Sequence, residues 1–99
     1  MKKYKIYAGL GGSFGGATLQ EVSEFKSESA AYEYAYELAC QEYESYEGLY
    51  GLADLDTIAE YPEDYGLDKG EADEECLWEA YVEARYGWLN YWVEEVDEN

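Results

Sequence analysis

This chain of 99 residues, 47% apolar and 18% aromatic with thirteen tyrosines, sets 24 aspartates and glutamates against six lysines and arginines, for a formal net charge of −18. The length suits one modest core, the aromatic content argues against an acidic disordered segment, and the charge argues against direct contact with nucleic acid or an anionic membrane. The acidity is lopsided: residues 1–26 hold Lys2, Lys3, Lys5 and Lys26 against Glu21 and Glu24, whereas residues 27–99 hold 22 acids against Lys69 and Arg85.

In chain order, Lys3 to Leu10 alternates with Ile6, Ala8 and Leu10 on one side and Lys5 and Tyr7 on the other, which predicts a half-buried strand. Ala17 to Phe25, with Leu19, Val22 and Phe25 as its apolar positions, predicts a second strand. The glycine-rich segment 9–16 between them reads as a flexible hairpin connection. Ser27 or Ser29 caps a predicted helix running to about Glu47, where Gly48 stops it. At 100° per residue, Ala31, Ala35, Leu38, Ala39 and Tyr46 form its expected core face. Tyr32, Tyr36 and Tyr43 flank that face, joined by Tyr50 if the helix runs that far, and Glu33, Glu37, Glu44 and Glu47 lie beyond.

Pro62 and Gly66 confine a short second helix to about Asp54–Tyr61, packed through Leu55, Ile58 and Ala59. A third helix is expected from about Glu71 to Tyr86, with Leu77, Ala80, Tyr81 and Ala84 inward and Glu75, Glu79 and Glu83 opposite them. Residues 88–96 alternate Leu89, Tyr91 and Val93 against Trp88, Asn90 and Trp92, as a final strand would. The expected fold is a single α+β domain over residues 1–99, ordered β-β-α-α-α-β, with a small antiparallel sheet packed by the helices.

Little in this sequence points to catalysis. Histidine is absent, which removes the commonest general base and the usual zinc ligand, and no two of the many carboxylates are singled out by an apolar surround. Gly11 to Thr18 has the spacing of a phosphate loop, but Ala17 stands where its lysine belongs and no helix follows. Asp54 and Asp56 begin like a calcium loop, yet Ile58 and Ala59 take the following ligand and glycine positions. Cys40 and Cys76 lack CxxC spacing and read as reduced thiols. No cofactor, metal site or enzymatic activity is expected. With no apolar run of about 18 residues and no leader-like start, the expected location is the cytoplasm.

The glutamates four residues apart are the distinctive feature. Such residues advance about 6 Å along a helix axis, comparable to successive phosphates on one strand, and they destabilise the helix by about 0.2–0.5 kcal/mol per like-charged pair. A merely solvated face mixes both signs. These ridges point to a basic protein partner, with tyrosines and Trp78 as rigid contact area. The expected contact set is Glu33, Glu37, Glu44, Glu47, Glu75, Glu79, Glu83, Tyr32, Tyr36, Tyr43 and Trp78.

The charge, size and three-sided helices resemble the small acidic proteins of bacteriophages and mobile elements that mimic DNA to block restriction enzymes, CRISPR effectors or uracil-DNA glycosylase. Tyr4-Lys-Ile-Tyr-Ala-Gly-Leu-Gly-Gly-Ser-Phe-Gly-Gly16 and Tyr43-Glu-Ser-Tyr-Glu-Gly48 also resemble uncharacterised small phage proteins. The first resemblance implies an inhibitor of a basic DNA- or RNA-binding protein such as a nuclease, restriction enzyme or CRISPR effector. The alternative reading is a phage accessory or adaptor protein whose aromatic surface pairs with a partner or with a second copy in a homodimer.

Overall fold

The N-terminal alternation becomes strand β1, Lys2–Leu10, in the computed structural model, which describes residues 1–68 and 73–97. Strand β2 spans Gly16–Phe25 and strand β3 spans Leu89–Glu95. Both pair antiparallel with β1, so the sheet order is β2-β1-β3. Three helices lie between the second and third strands: α1 at Glu28–Tyr46, α2 at Leu55–Glu60 and α3 at Glu74–Tyr86. The expected α+β order is therefore the observed one. The chain divides into two compact units, one of residues 1–44 together with the segment from residue 89 onward, the other of residues 45–88.

In the first unit, Tyr4, Ile6, Ala8 and Leu10 all point to the buried side of β1. Ala31 and Ala35 of α1 close over Tyr4, Ile6 and Val93, with Phe25, Tyr34, Leu38 and Tyr91 packed at the margin. Alanines let the helix backbone approach the sheet closely. Ser27 starts α1 by accepting a hydrogen bond from the Ala30 amide on its Oγ at 3.1 Å.

The expected hairpin connection requires correction, and the pairing of β2 adds a bulge. The glycine-rich connection is shorter than 9–16, because Gly9 and Leu10 complete β1 and Gly16 begins β2, leaving a 3-10 turn at Gly12–Phe14. The imperfect alternation of β2 also has a cause: Ile6 pairs with Glu21 and Tyr7 with Leu19, so Gln20 is a bulge. The extra residue puts Leu19 and Val22 on the same side as Tyr7 and Lys5, away from α1, where they are 52% and 48% exposed. Glu21 and Ser23 consequently take the side that faces the helix.

Gly9 is required where the strands converge. A Cβ on it would lie 2.8 Å from the Gly16 carbonyl oxygen and 3.2 Å from the Ala17 Cα. Asn90 and Ala17 both pair with Gly9 from opposite sides, and Asn90 Oδ1 accepts the Ala17 amide hydrogen at 2.8 Å. A side chain at Gly9 would stand in that crossing.

In the second unit, Gly48 has φ 82° and its amide donates to the Leu52 carbonyl at 2.7 Å, turning the chain away from the helical path. Asp54 caps α2 through the Thr57 amide at 2.7 Å, and Pro62 ends it by opening a 3-10 turn over Pro62–Tyr65. Of the three apolar residues expected to pack α2, Ile58 is buried while Leu55 and Ala59 are exposed, because six residues make under two turns and present one narrow inner stripe. Asp73 caps α3 through the Cys76 amide at 2.8 Å. The expected start at Glu71 lies outside the described residues.

Gly9→Ala should destabilise the chain by about 1–3 kcal/mol, the usual range for forced overpacking, read as a lower urea midpoint. An unchanged midpoint would mean that β1 and β2 separate there without cost.

Candidate partner-binding surface

The glutamates expected to bind a partner lie in both units. On α1, Glu33, Glu37 and Glu44 are exposed, and on α3 so are Glu75, Glu79 and Glu83. Each helix thus carries carboxylates in solvent, at four-residue steps throughout on α3 and for Glu33 and Glu37 on α1. Arg85, the sole base within α1, α2 and α3, is turned inward and buried.

The tyrosines behave differently from expectation. Tyr43 is fully buried, so it belongs to the core and not to a contact surface. The buried positions Ala31, Ala35, Ala39, Cys40 and Tyr43 centre the inner arc of α1 near Ala39, about 40° from the Ala35 direction on a 100° helical wheel. That rotation draws Tyr43 inward and leaves Leu38 only half-buried; Tyr46, the last residue of the helix, is half-buried as well. Tyr36 is half-buried, edge-on to Tyr91 with ring centroids 5.5 Å apart, whereas Tyr32, the fifth residue of the helix, stays exposed. Tyr50 lies beyond the helix with φ 54°.

Several tyrosines instead serve the carboxylates as neutral donors. Tyr34 and Ser23 both donate to Glu21, and these two hydrogen bonds hold its carboxyl below the usual range. Tyr81 donates to Glu47 Oε2 at 2.5 Å. Glu47 is therefore half-buried and engaged within its own unit. Burial, reinforced by the bond to Glu47, raises the Tyr81 hydroxyl well above the ordinary tyrosine range. The Arg85 guanidinium lies 5.3 Å from the Tyr81 ring centroid, and the Trp78 ring stacks on Tyr81 at 5.4 Å. Tyr81 thus ties α3 to the turn at Glu47 and fixes the base of Trp78.

Trp78 is 52% exposed and Tyr86 60% exposed. With half-buried Val82 between them, they form a stripe at i, i+4 and i+8 along α3. Each follows an acid by three positions: Glu75 and Trp78, Glu79 and Val82, Glu83 and Tyr86. Residues three apart are neighbours on a helix surface, so the apolar stripe and the acidic stripe run side by side. Trp78, Glu79, Val82, Glu83 and Tyr86 line an open hollow of about 460 Å³. On the other side of Trp78, a second hollow of about 470 Å³ lies between α2 and α3, lined by Leu55, Asp56, Ala59, Glu74, Leu77 and Trp78. Sequence reasoning found Trp78 and the glutamates but missed Val82, Tyr86 and the α2 wall. The four-residue spacing of Trp78, Val82 and Tyr86 was the available signal.

Other groups have structural employment. Asp54 and Asp73 are helix caps whose carboxyls are held below the usual range, Asp54 by hydrogen bonds from the Thr57 side chain and amide and Asp73 by that from the Cys76 amide, and Cys40 and Cys76 are thiols rather than a disulfide. Among the described residues, no three cysteine, aspartate or glutamate side chains gather as a metal site. No helix among them is long and apolar enough to cross a membrane. No protein-family model matches this chain, nor does any curated protein or solved structure.

Tyr81→Phe should lower stability by about 1–2 kcal/mol in urea unfolding, the usual net worth of one such hydrogen bond. Because the folded-state pKa of Tyr81 is raised, its contribution is complete below the ordinary tyrosine range and is lost as pH rises through the folded value. The difference between wild type and Tyr81→Phe should therefore persist through neutral pH and shrink only in strong alkali. A difference that vanished near neutrality would refute the assignment.

Proposed function

We propose that this chain is a non-enzymatic binding protein that occupies the basic groove of a nucleic-acid-handling protein and blocks it, as a charge mimic of nucleic acid acting in the cytoplasm. The observation that carries this reading is the row Glu75, Glu79 and Glu83, exposed on one helix and repeating every about 6 Å along the axis. Glu33, Glu37 and Glu44 on α1 supply further exposed carboxylates of the same sign. A restriction enzyme, nuclease or CRISPR effector has the complementary basic groove, and inhibition of one would suit a phage-encoded anti-defence protein. Opposite potentials would speed encounter and exclude acidic competitors.

A second reading is an accessory or adaptor protein acting through aromatic contacts. It draws support from exposed Trp78 and Tyr86, and from Leu19 and Val22 on the uncovered side of the sheet. In that case charge maintains solubility and the apolar surface provides the binding.

The discriminating experiment captures host proteins on the immobilised chain at low and high salt, then measures nucleic-acid binding by each captured basic protein as the chain is added. A charge mimic competes with nucleic acid, loses affinity as salt rises, and weakens about tenfold to a hundredfold on Glu75→Lys, Glu79→Lys and Glu83→Lys together, equivalent to about 1.4–2.7 kcal/mol. Inhibition that survived those reversals would remove the mimicry reading. A concentration-dependent dimer that lost its interface on Tyr86→Ser would favour the adaptor.

A further inference from the structure

We infer that the α2/α3 face takes a cationic amphipathic helix of a partner protein, seating that helix's apolar residues on Trp78, Val82 and Tyr86 and its lysines or arginines on the adjoining glutamates. The inference rests on the reading of this chain as a binder of basic proteins, and it specifies the form of the basic element. A partner recognised by charge alone would need no apolar seat beside the acids. Here each exposed apolar residue of the stripe has an acid three positions before it, and the hollows on both sides of Trp78 combine apolar walls with Asp56, Glu74, Glu79 and Glu83.

The geometry favours a helix as the occupant. From Trp78 to Tyr86 the stripe runs about 12 Å, the rise of eight helical residues, matching anchors at i, i+4 and i+8 on a facing helix. The α3 backbone already satisfies its own hydrogen bonds within the helix, so an extended strand laid here would gain no ladder. Lysine or arginine flanks on the incoming helix would meet carboxylates rather than bases, since every charged described residue lining either hollow is acidic. A second copy of this chain is a poor match, because the sole base on its helices, Arg85, is buried. Two copies at −18 would also repel each other.

The test uses the full chain and two synthetic peptides of equal length and charge, about eighteen residues or roughly five turns each. One places leucines on one helical face and lysines on the other; the second replaces every leucine with serine. The leucine peptide should bind about tenfold or more tighter, the gain expected from seating one large apolar anchor. Trp78→Ser with Tyr86→Ser should collapse the ratio of the two affinities to about one, while Glu79→Gln with Glu83→Gln should weaken both peptides. Circular dichroism verifies that each variant is folded. Should loss of the Trp78 stack on Tyr81 unfold the double variant, Tyr86→Ser alone should reduce the preference by about threefold or more.

Equal affinity for the two peptides, or a preference that survives Tyr86→Ser, would overturn the inference. If the serine peptide still bound in a salt-sensitive manner, the charge-mimic reading would stand without it. If neither peptide bound at low salt, both would fall. A dimer formed by the chain alone and dissolved by Tyr86→Ser would assign the stripe to a second copy and overturn the inference too.

Discussion

Like-charge repulsion is the constraint on which the rest of this structure depends. With 22 acids against two bases after residue 26, carboxylates cannot generally be neutralised by ion pairs. The fold distributes them in three ways: in solvent, at helix N-termini, and on neutral donors. Asp54 and Asp73 take amide hydrogens at the starts of α2 and α3, where a negative charge also meets the favourable end of the helix dipole. Glu21 and Glu47 take tyrosine hydroxyls. Tyr7 reaches Glu94 at 3.4 Å, and the ion pair of Lys2 with Glu95 at 3.2 Å sits on the one part of the chain that has lysines to spare. The tyrosine content acquires a structural meaning from this arrangement. A tyrosine buries a large apolar ring and still presents one donor, so it can serve the core and a carboxylate together.

This dual use explains why the sequence reads well for fold and less well for site. Alternation marked β1 and β3, and serine, glycine and proline marked helix ends, because each of these signals acts through its own local backbone; the aspartate caps Asp54 and Asp73 emerged only in the structure. Two features that depend on distant partners were harder to see. The bulge at Gln20 follows from pairing with β1, and it places Leu19 and Val22 on the side of the sheet away from α1, which their apolar character alone did not indicate. The rotation of α1 depends on what its face meets, and it turns Tyr43 from a flank residue into the core. A helical wheel fixes relative angles, but tertiary packing fixes the zero of the wheel. An offset of about 40° in that zero was enough to exchange one tyrosine's role.

The same reasoning applies to α3, with a different result. Its buried residues Ala80, Tyr81 and Arg85 match the expected inner side except at Arg85, where a guanidinium over the Tyr81 ring replaces the alkyl packing expected from Ala84. A base at the last turn of a helix is also favourably placed against the C-terminal carbonyls. Because Arg85 is buried inside the unit, it does not serve as a counterion on the outer face, where Glu75, Glu79 and Glu83 repel one another at four-residue spacing. That repulsion is tolerable in a helix whose inner side is anchored by Tyr81, and it would be harder to sustain in an isolated one.

On the proposed reading, charge and apolar surface would divide the work of recognition. An exposed ion pair contributes about 0–1 kcal/mol and weakens with salt, so a row of glutamates attracts a basic partner and orients it more than it holds it. A large side chain buried on contact contributes about 1.5–3 kcal/mol with little dependence on salt. Trp78 is already stacked on Tyr81, so ordering its ring on binding costs little entropy. Placing that ring beside the glutamates lets attraction and retention act on one helix face. A surface of carboxylates alone would leave the affinity largely at the mercy of ionic strength, whereas in the proposed complex the apolar residues of α3 would add a contribution that salt does not screen.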